Sequence, residues 1–351
     1  MKKAVYAGSF DPITNGHLHI IKKACSMFDE VIVLIANNPE KKYMFSLSER
    51  KEICRKSLLE MKIKAGVEAC ENRLVAEFSH TNLNAQFLIR GIRSVNDFQE
   101  EVDIYHTNRR ISHDIETVFL MPDIDLSSLR SSVVKGLVGL RDWWWNISDV
   151  VPRTVLRSLS EKCASKIWND TWDDQLSNGL SVYNQIYSSS EYHNWIHVLN
   201  CLQLLEDFDG LSESEKKDLT KALLVHDVVD LNLDVGNDSY WSKIGIVKLI
   251  LATNHDITPE SGWSRLENIA HDVDLEVLSW SKDRYSTYTK LVRREYCDLS
   301  DSEWRFGRSK FLELMLKRER IYLTDEYFEN KEVAAASNMT NELEGMRNEG
   351  N

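Results

Sequence analysis

Ala7-Gly8-Ser9-Phe10-Asp11-Pro12-Ile13-Thr14-Asn15-Gly16-His17 decides the fold of the first half of this chain. The apolar residues 4–7 that lead into it read as a strand. Two glycines, an aspartate and a proline then punctuate the chain. His17 opens an amphipathic stretch with Leu18, Ile21, Ala24 and Phe28 at helical spacing. The pattern predicts a strand–turn–helix unit with a histidine at the positive end of the helix. Free backbone N–H groups and the helix dipole both favour an anion there, which suits the phosphates of a nucleotide. Gly8 and Gly16 let the backbone approach a ligand, and Thr14 and His17 supply donors three residues apart.

Outward from this unit, strands and helices alternate. Residues 30–36, EVIVLIA, form a nearly continuous apolar run, as expected of a parallel strand covered on both faces. Ser46-Leu47-Ser48-Glu49 is a capping box, so a helix follows it. Residues 67–78 give no clear signal. Residues 86–89 and 117–121 read as two further strands, with a helix starting at residues 97–101 between them. The alternation predicts a doubly wound, Rossmann-like α/β sheet. His17, Lys41, Arg90 and Ser131 all fall at or near the carboxyl ends of predicted strands, the edge where open α/β sheets bind ligands.

The opening stretch carries the T/HxGH signature of the nucleotidylyltransferases. With NPEKKYMFSLSER, FLIRGIRSVNDFQEE, NRR and ETVFLMP, it resembles the bacterial phosphopantetheine adenylyltransferases over roughly residues 1–158. That resemblance implies transfer of AMP from ATP to 4′-phosphopantetheine, giving dephospho-CoA and pyrophosphate, with Mg²⁺ on the nucleotide. By the resemblance Ser9 and Phe10 touch ATP, His17 binds its phosphates and Lys41 pairs with phosphate. Arg90 would hold the phosphopantetheine, Gly91, Ile92 and Arg93 line the nucleotide, and Glu101 binds on the ATP side. Gly16, Ser131 and Ser132 complete the expected nucleotide site. The chain departs from the family pattern at Arg130, where a serine is usual, and at Leu126, where an aromatic is usual. The departure leaves open another acceptor, such as nicotinamide or nicotinate mononucleotide. A homo-oligomer is also implied. The tryptophans at 143–145 read as a packing or interface cluster.

Beyond Pro152 the alternation stops and helical periodicity takes over. Histidines organise this half. His193 and His197 stand at i and i+4, predicted on one helix face. His226-Asp227 ends an apolar helix, and Asp272 and Asp274 lie further on. This order, with YHNWIH, LLVHDVVDLNLDVGNDSYWS, LILATNH, DVDLEVL, YSTYTKLVRREY and FGRSKFLELMLKRERIY, resembles a bacterial family of HD phosphohydrolases over about residues 168–323. The resemblance implies a divalent metal (Mn²⁺, Fe²⁺, Mg²⁺ or Zn²⁺) held by His197, His226, Asp227 and Asp274, with Asp272 the runner-up for the last place. It places His193 as general acid, His255 as a second-metal ligand or phosphate contact, and Arg293, Arg294 and Arg308 as phosphate clamps. Asp238 stands where that family often has Glu. A degenerate HD domain in a nucleotide-binding regulator is the alternative.

The totals fit this division. The 351 residues exceed one typical core, and 42% hydrophobic with 28% charged residues is ordinary globular composition. The domains expected are residues 1–158, an all-α HD-type domain at 159–330, and a flexible polar tail at 331–351. Six scattered cysteines without a CxxC pair suit reduced thiols. The net charge of −12 argues against nucleic acid as a partner. With no apolar run long enough for a span and no leader segment, the expectation is a cytoplasmic enzyme of small-molecule substrates, away from membranes.

Overall fold

The structure, a computed structural model, describes residues 1–38, 41–126, 130–172, 179–228, 245–255 and 262–348. Asp238 and Ser127, Ser128 and Leu129 lie outside the described residues. The chain divides into two compact units, Met1–Leu159 and Ser160–Asn351.

The first unit is a five-stranded parallel sheet in the order β3-β2-β1-β4-β5. Its strands are β1 (Lys3–Gly8), β2 (Glu30–Ala36), β3 (Gly66–Cys70), β4 (Phe87–Gly91) and β5 (Glu116–Leu120). Strand β1 pairs with β2 on one side and β4 on the other, so the strand order reverses beside it. Ala4, Val5, Tyr6 and Ala7 are all buried, which accounts for the unbroken apolar text of β1. One face packs Val5, Ala7, Ile32, Leu34 and Leu88 against Ala76. The intervening helices are α1 (Asn15–Met27), α2 (Leu47–Glu60), α3 (Val75–Thr81) and α4 (Val95–Ile111), then α5 (Ser131–Leu137) and α6 (Trp143–Ile147). The region that gave no sequence signal holds β3 and α3. Strand β3 alternates partly buried and exposed residues at the sheet edge, so it lacks the apolar run that marks β1 and β2. Helix α1 starts at Asn15, two residues before the predicted opening at His17. Trp143 and Trp144 are buried, so the tryptophan cluster packs.

Helix α7 (Arg153–Thr171) spans the division between the units. The described elements of the second unit are helical. They are α8 (Leu180–Ser189), α9 (Trp195–Leu204), α10 (Glu213–Val225), α11 (Val247–Ala252) and α12 (Arg265–Leu275). After them come α13 (Lys282–Glu295), α14 (Asp301–Leu316) and α15 (Asp325–Asn348). In α12 every residue from Ile269 to Leu275 is buried, which makes it the central helix.

Two expectations need correction here. The segment read as a flexible tail from 331 continues α15, which buries Ala335, Met339 and Leu343 at intervals of four. One narrow stripe suffices to dock a helix, and its wide polar face makes the sequence look tail-like. Second, His193 is not on a helix. Asn194 is the N-cap of α9, accepting from the Ile196 N–H at 2.8 Å, so the helix begins after it.

Candidate functional sites

At the carboxyl edge of the sheet, a cavity of about 640 Å³ is lined by six lysines and arginines and only two carboxylates. It is a local cation site in a chain of net charge −12. Of the residues expected there, Ser9, Phe10, His17, Lys41, Arg90, Gly91, Arg93, Glu101, Ser131 and Ser132 line it. Gly16 and Ile92 are buried and are not among its lining residues.

His17 is fixed before any ligand arrives. Its Nδ1 accepts from the Thr14 backbone N–H at 3.0 Å and lies 2.9 Å from Thr14 Oγ1. An accepting Nδ1 leaves the proton of the neutral ring on Nε2. Burial, reinforced by the Arg93 charge, pushes the His17 pKa down to about 4. The ring is therefore a neutral N–H donor at physiological pH. Phe10, at φ 46°, places its ring 5.2 Å from that of His17. That left-handed backbone is costly for a residue with a Cβ.

The arginines are closed on carboxylates. Arg90 makes a fork with Glu101, through Nε to Oε2 and through Nη2 to Oε1 at 2.6 Å. Arg93 Nε reaches Asp97 at 3.2 Å, and Arg130 Nη2 lies 3.6 Å from the other oxygen of Asp97. Ser131 Oγ donates to the Pro12 carbonyl at 2.7 Å, so its hydroxyl is engaged by the protein's own backbone.

Two residues of this site escaped the sequence reading. Asp11 is buried and accepts from the backbone N–H groups of Met44 (2.9 Å) and Phe45 (3.0 Å) and from Lys135 Nζ (2.9 Å). It ties the loop after β2 to α5. Arg50, also buried, donates to the carbonyls of Phe45 (3.1 Å) and Ser9 (2.8 Å) and to Asn37. Together they hold the loop of Lys41 against the turn after β1.

In the second unit, His197, His226, Asp227 and Asp274 converge. His197 Nε2 lies 3.2 Å from His226 Nε2, 2.9 Å from Asp274 Oδ1 and 3.7 Å from Asp227 Oδ2. His226 Nε2 lies 3.3 Å from both Asp227 Oδ1 and Asp274 Oδ1. Helix α9 presents His197 and α12 presents Asp274. His226 caps the end of α10, where its Nδ1 bonds the Leu223 carbonyl at 2.8 Å and leaves Nε2 turned to the cluster. Burial alone would raise Asp274, but the His226 charge and bonds from His197, His226 and His255 hold it well below the usual carboxylate range. Cys201 lies close enough to be a fifth ligand, yet burial keeps its thiol protonated, and it donates to the Val273 carbonyl at 3.6 Å.

Asp272, the runner-up ligand, faces elsewhere. Its carboxylate accepts from the N–H groups of Leu323 and Thr324 and from the Thr324 hydroxyl at 2.6 Å, which fixes the approach to α15. His255 Nε2 bonds Asp274 Oδ2 at 2.9 Å, beside the four converging side chains. Arg308 is buried against Glu342, at 2.9 and 3.1 Å. Arg293 bonds the Tyr296 and Leu299 carbonyls and Asp301, so it braces a turn. Arg294 lies 3.9 Å from Glu191.

Glu295, which sequence reading gave no role, joins this group. One oxygen accepts from the Tyr192 (2.6 Å) and His193 (2.8 Å) N–H groups, and the other bonds His193 Nδ1 at 2.6 Å. Burial pushes His193 down, but Asp227 and the Glu295 bond push it further up, to about 9. His193 is thus a protonated imidazole beside the acidic cluster.

A parallel sheet with a donor histidine at the first helix and a cationic cavity at its carboxyl edge defines a nucleotidyltransferase domain. Residues 5–136 match the family described as Cytidylyltransferase-like. The chain is 38% identical to the phosphopantetheine adenylyltransferase of Nautilia profundicola over 157 residues, covering 45% of this chain and 98% of that protein. It is 40% identical to that of Neisseria meningitidis serogroup C over 159 residues, covering 45% and 92%. Against that of Prochlorococcus marinus the identity is 40% over 161 residues, covering 46% and 98%. Through this first unit the chain belongs to the phosphopantetheine adenylyltransferase family. Among the described residues no helix is long and apolar enough to cross a membrane.

Proposed function

We propose that this chain is a bifunctional enzyme. Its first unit transfers AMP from ATP to 4′-phosphopantetheine, giving dephospho-CoA and pyrophosphate. The acceptor phosphate attacks the α-phosphorus in line, so the protein needs no nucleophile of its own. Its task is to position the two phosphates and to stabilise charge on the equatorial oxygens. His17 donates its Nε2 proton as a hydrogen bond to an α-phosphate oxygen. Lys41, Arg90 and Arg93 supply positive charge, and Glu101 and Asp97 exchange those guanidiniums for substrate phosphate. Mg²⁺ entering with ATP would neutralise the leaving pyrophosphate. The observation that carries this reading is the His17 ring locked by Thr14 in the wall of the cation-lined cavity. The test is to incubate the protein with ATP, Mg²⁺ and 4′-phosphopantetheine and follow dephospho-CoA and pyrophosphate, with His17→Ala as control. Product with nicotinamide mononucleotide and none with phosphopantetheine would overturn the acceptor. Assembly as a homo-oligomer belongs to this reading, supported by α4, which buries none of its residues and leaves Phe98, Ile104 and Ile111 exposed.

The second unit hydrolyses a phosphoester of a nucleotide or related small molecule with a bound divalent metal. Two imidazoles and two carboxylates with ligand atoms this close form a donor set that suits Mn²⁺, Fe²⁺, Mg²⁺ or Zn²⁺. His197, His226, Asp227 and Asp274 would hold the ion, whose chemistry is to polarise the phosphoryl group and activate water. His193, aimed by Glu295 and protonated, gives a proton to the leaving alkoxide. Calorimetry with Mn²⁺ tests the site. Unchanged affinity in Asp274→Asn would overturn it.

A further inference from the structure

Asp227 and Asp274 of the His-Asp cluster line a larger cavity. This cavity, about 500 Å³, includes Asp227, Asp274 and His193 and extends along residues of α13 and α14. That volume suits a small organic ligand. Away from the cluster its wall is largely aromatic and apolar. The Tyr296 and Trp304 rings stand 5.4 Å apart with a 35° tilt, and Phe311 adds a third ring. Tyr296 is 47% exposed. Rings left at a cavity wall beside a polar cluster are a surface for an apolar or aromatic body.

Charge limits the number of phosphates. The described wall carries one lysine or arginine, Arg308, and Glu342 and the Tyr288 hydroxyl (3.1 Å) engage its guanidinium. The protonated His193 is the other cation on the wall, and Glu295 holds it at 2.6 Å, while Asp227, Asp274 and Glu303 supply negative charge. A ligand with one phosphoryl group can place it at the metal cluster. A second or third phosphate would stand against carboxylates, since both cations of the described wall, the buried Arg308 and His193, are already held by Glu342 and Glu295.

We infer that the substrate of the second unit is a nucleoside monophosphate, its phosphoryl group at the His-Asp cluster and its base stacked on Trp304 and Tyr296. This rests on the hydrolase reading above. Water forms the new P–O bond, the ester P–O bond breaks, and the leaving alkoxide takes its proton from His193. The products are a nucleoside and inorganic phosphate.

The test uses the full chain with Mn²⁺ and compares phosphate release from UMP, GMP and AMP with release from glycerol 3-phosphate. The expected KM is at least about tenfold lower for the nucleotides, and Trp304→Ala raises it about tenfold without moving the glycerol phosphate value. Trp304→Leu, with Mn²⁺ affinity as a check on folding, repeats the test if the alanine variant misfolds. Equal kcat/KM for both classes, or a Trp304 effect common to both, overturns the stacking surface and leaves the hydrolase reading standing. A nucleoside diphosphate cleaved as well as its monophosphate overturns the one-phosphoryl limit. If nothing is cleaved, the hydrolase reading fails. The subsite is then decided by Mn²⁺-induced broadening of the UMP ³¹P signal. Broadening that Asp274→Asn abolishes and Trp304→Ala weakens about tenfold supports it, and its absence overturns it.

Discussion

Replacing His17 with glutamine separates the two properties that the turn gives this ring. Glutamine keeps an N–H donor of similar reach but cannot titrate. Loss of one aligned donor on developing charge costs about 3–4 kcal/mol, or roughly 10²–10³ in kcat. His17→Ala should show that full loss and His17→Gln a smaller one. The pH dependence is the sharper test. Burial and Arg93 hold the ring at about 4, whereas an ordinary imidazole titrates near 6.5. At pH 6 an ordinary imidazole would be about three-quarters protonated, and this one only about 1%. Protonation would also put a hydrogen on Nδ1 facing the Thr14 N–H. Adenylyl transfer should therefore show no limb from His17 between pH 8 and pH 5. Stability carries the opposite signature. A folded pKa below the unfolded one means that the unfolded chain binds the proton first, so stability falls as pH drops from 6.5 towards 4. The loss at pH 5 relative to pH 8 is about 2 kcal/mol for a shift from 6.5 to about 4. His17→Gln abolishes that increment. Urea unfolding of both proteins at the two pH values measures it. A rate limb near pH 6.5 that disappears in His17→Gln would refute the locked, neutral ring.

Other perturbations follow from the same geometry. Asp11→Ala removes the acceptor shared by Met44, Phe45 and Lys135, and should cost about 2–4 kcal/mol in urea unfolding and raise the KM for ATP. Glu295→Gln should slow phosphate release by about tenfold or more while Mn²⁺ affinity, read by calorimetry, holds steady, because it aims His193 and touches none of the four side chains proposed to hold the metal. Glu342→Ala leaves Arg308 buried without its carboxylate, so thermal unfolding of the second unit should fall by the equivalent of about 3–5 kcal/mol. Deleting residues 331–351 should be at least as damaging, and a silent deletion would contradict the packing of Ala335, Met339 and Leu343.

What the sequence displays depends on how local each interaction is. Strands β1 and β2 are legible because burial on both faces writes an apolar run, and the Ser46–Glu49 capping box is legible because both partners lie within four residues. Strand β3 at the sheet edge and α15 with its single stripe carry weaker patterns, which do not reveal the element. The site divides in the same way. His17 and the His226-Asp227 pair announce themselves within short motifs. Lys135 meets Asp11 from 124 residues away, and Glu295 meets His193 from 102. No spacing rule links such partners, because the fold alone brings them together. Asp272 and Asp274 show the converse limit. Two residues apart on α12, they point to different neighbours, and only the packing around that helix decides which one faces the histidines.

On the proposed reading, the two units would approach phosphoryl chemistry from opposite charge. The first surrounds its cavity with lysines and arginines, and Glu101 on its wall and the nearby Asp97 occupy the guanidiniums in place of substrate. Such a site binds an anion by exchange, since phosphate takes the place of a carboxylate already at hand. The arginines stay ordered and desolvation is partly spent in advance. The second gathers Asp227 and Asp274 around two imidazoles, and an ion entering there displaces protons that the acidic field holds, with His226 raised to about 10. Binding in the first unit should therefore weaken steeply with salt and survive chelators that leave the nucleotide's own Mg²⁺ in place. Binding in the second should be abolished by chelation and change little with salt. A single titration of ATP and of Mn²⁺ at low and high ionic strength distinguishes these behaviours, and the same salt response at both sites would contradict the assignment of charge to each.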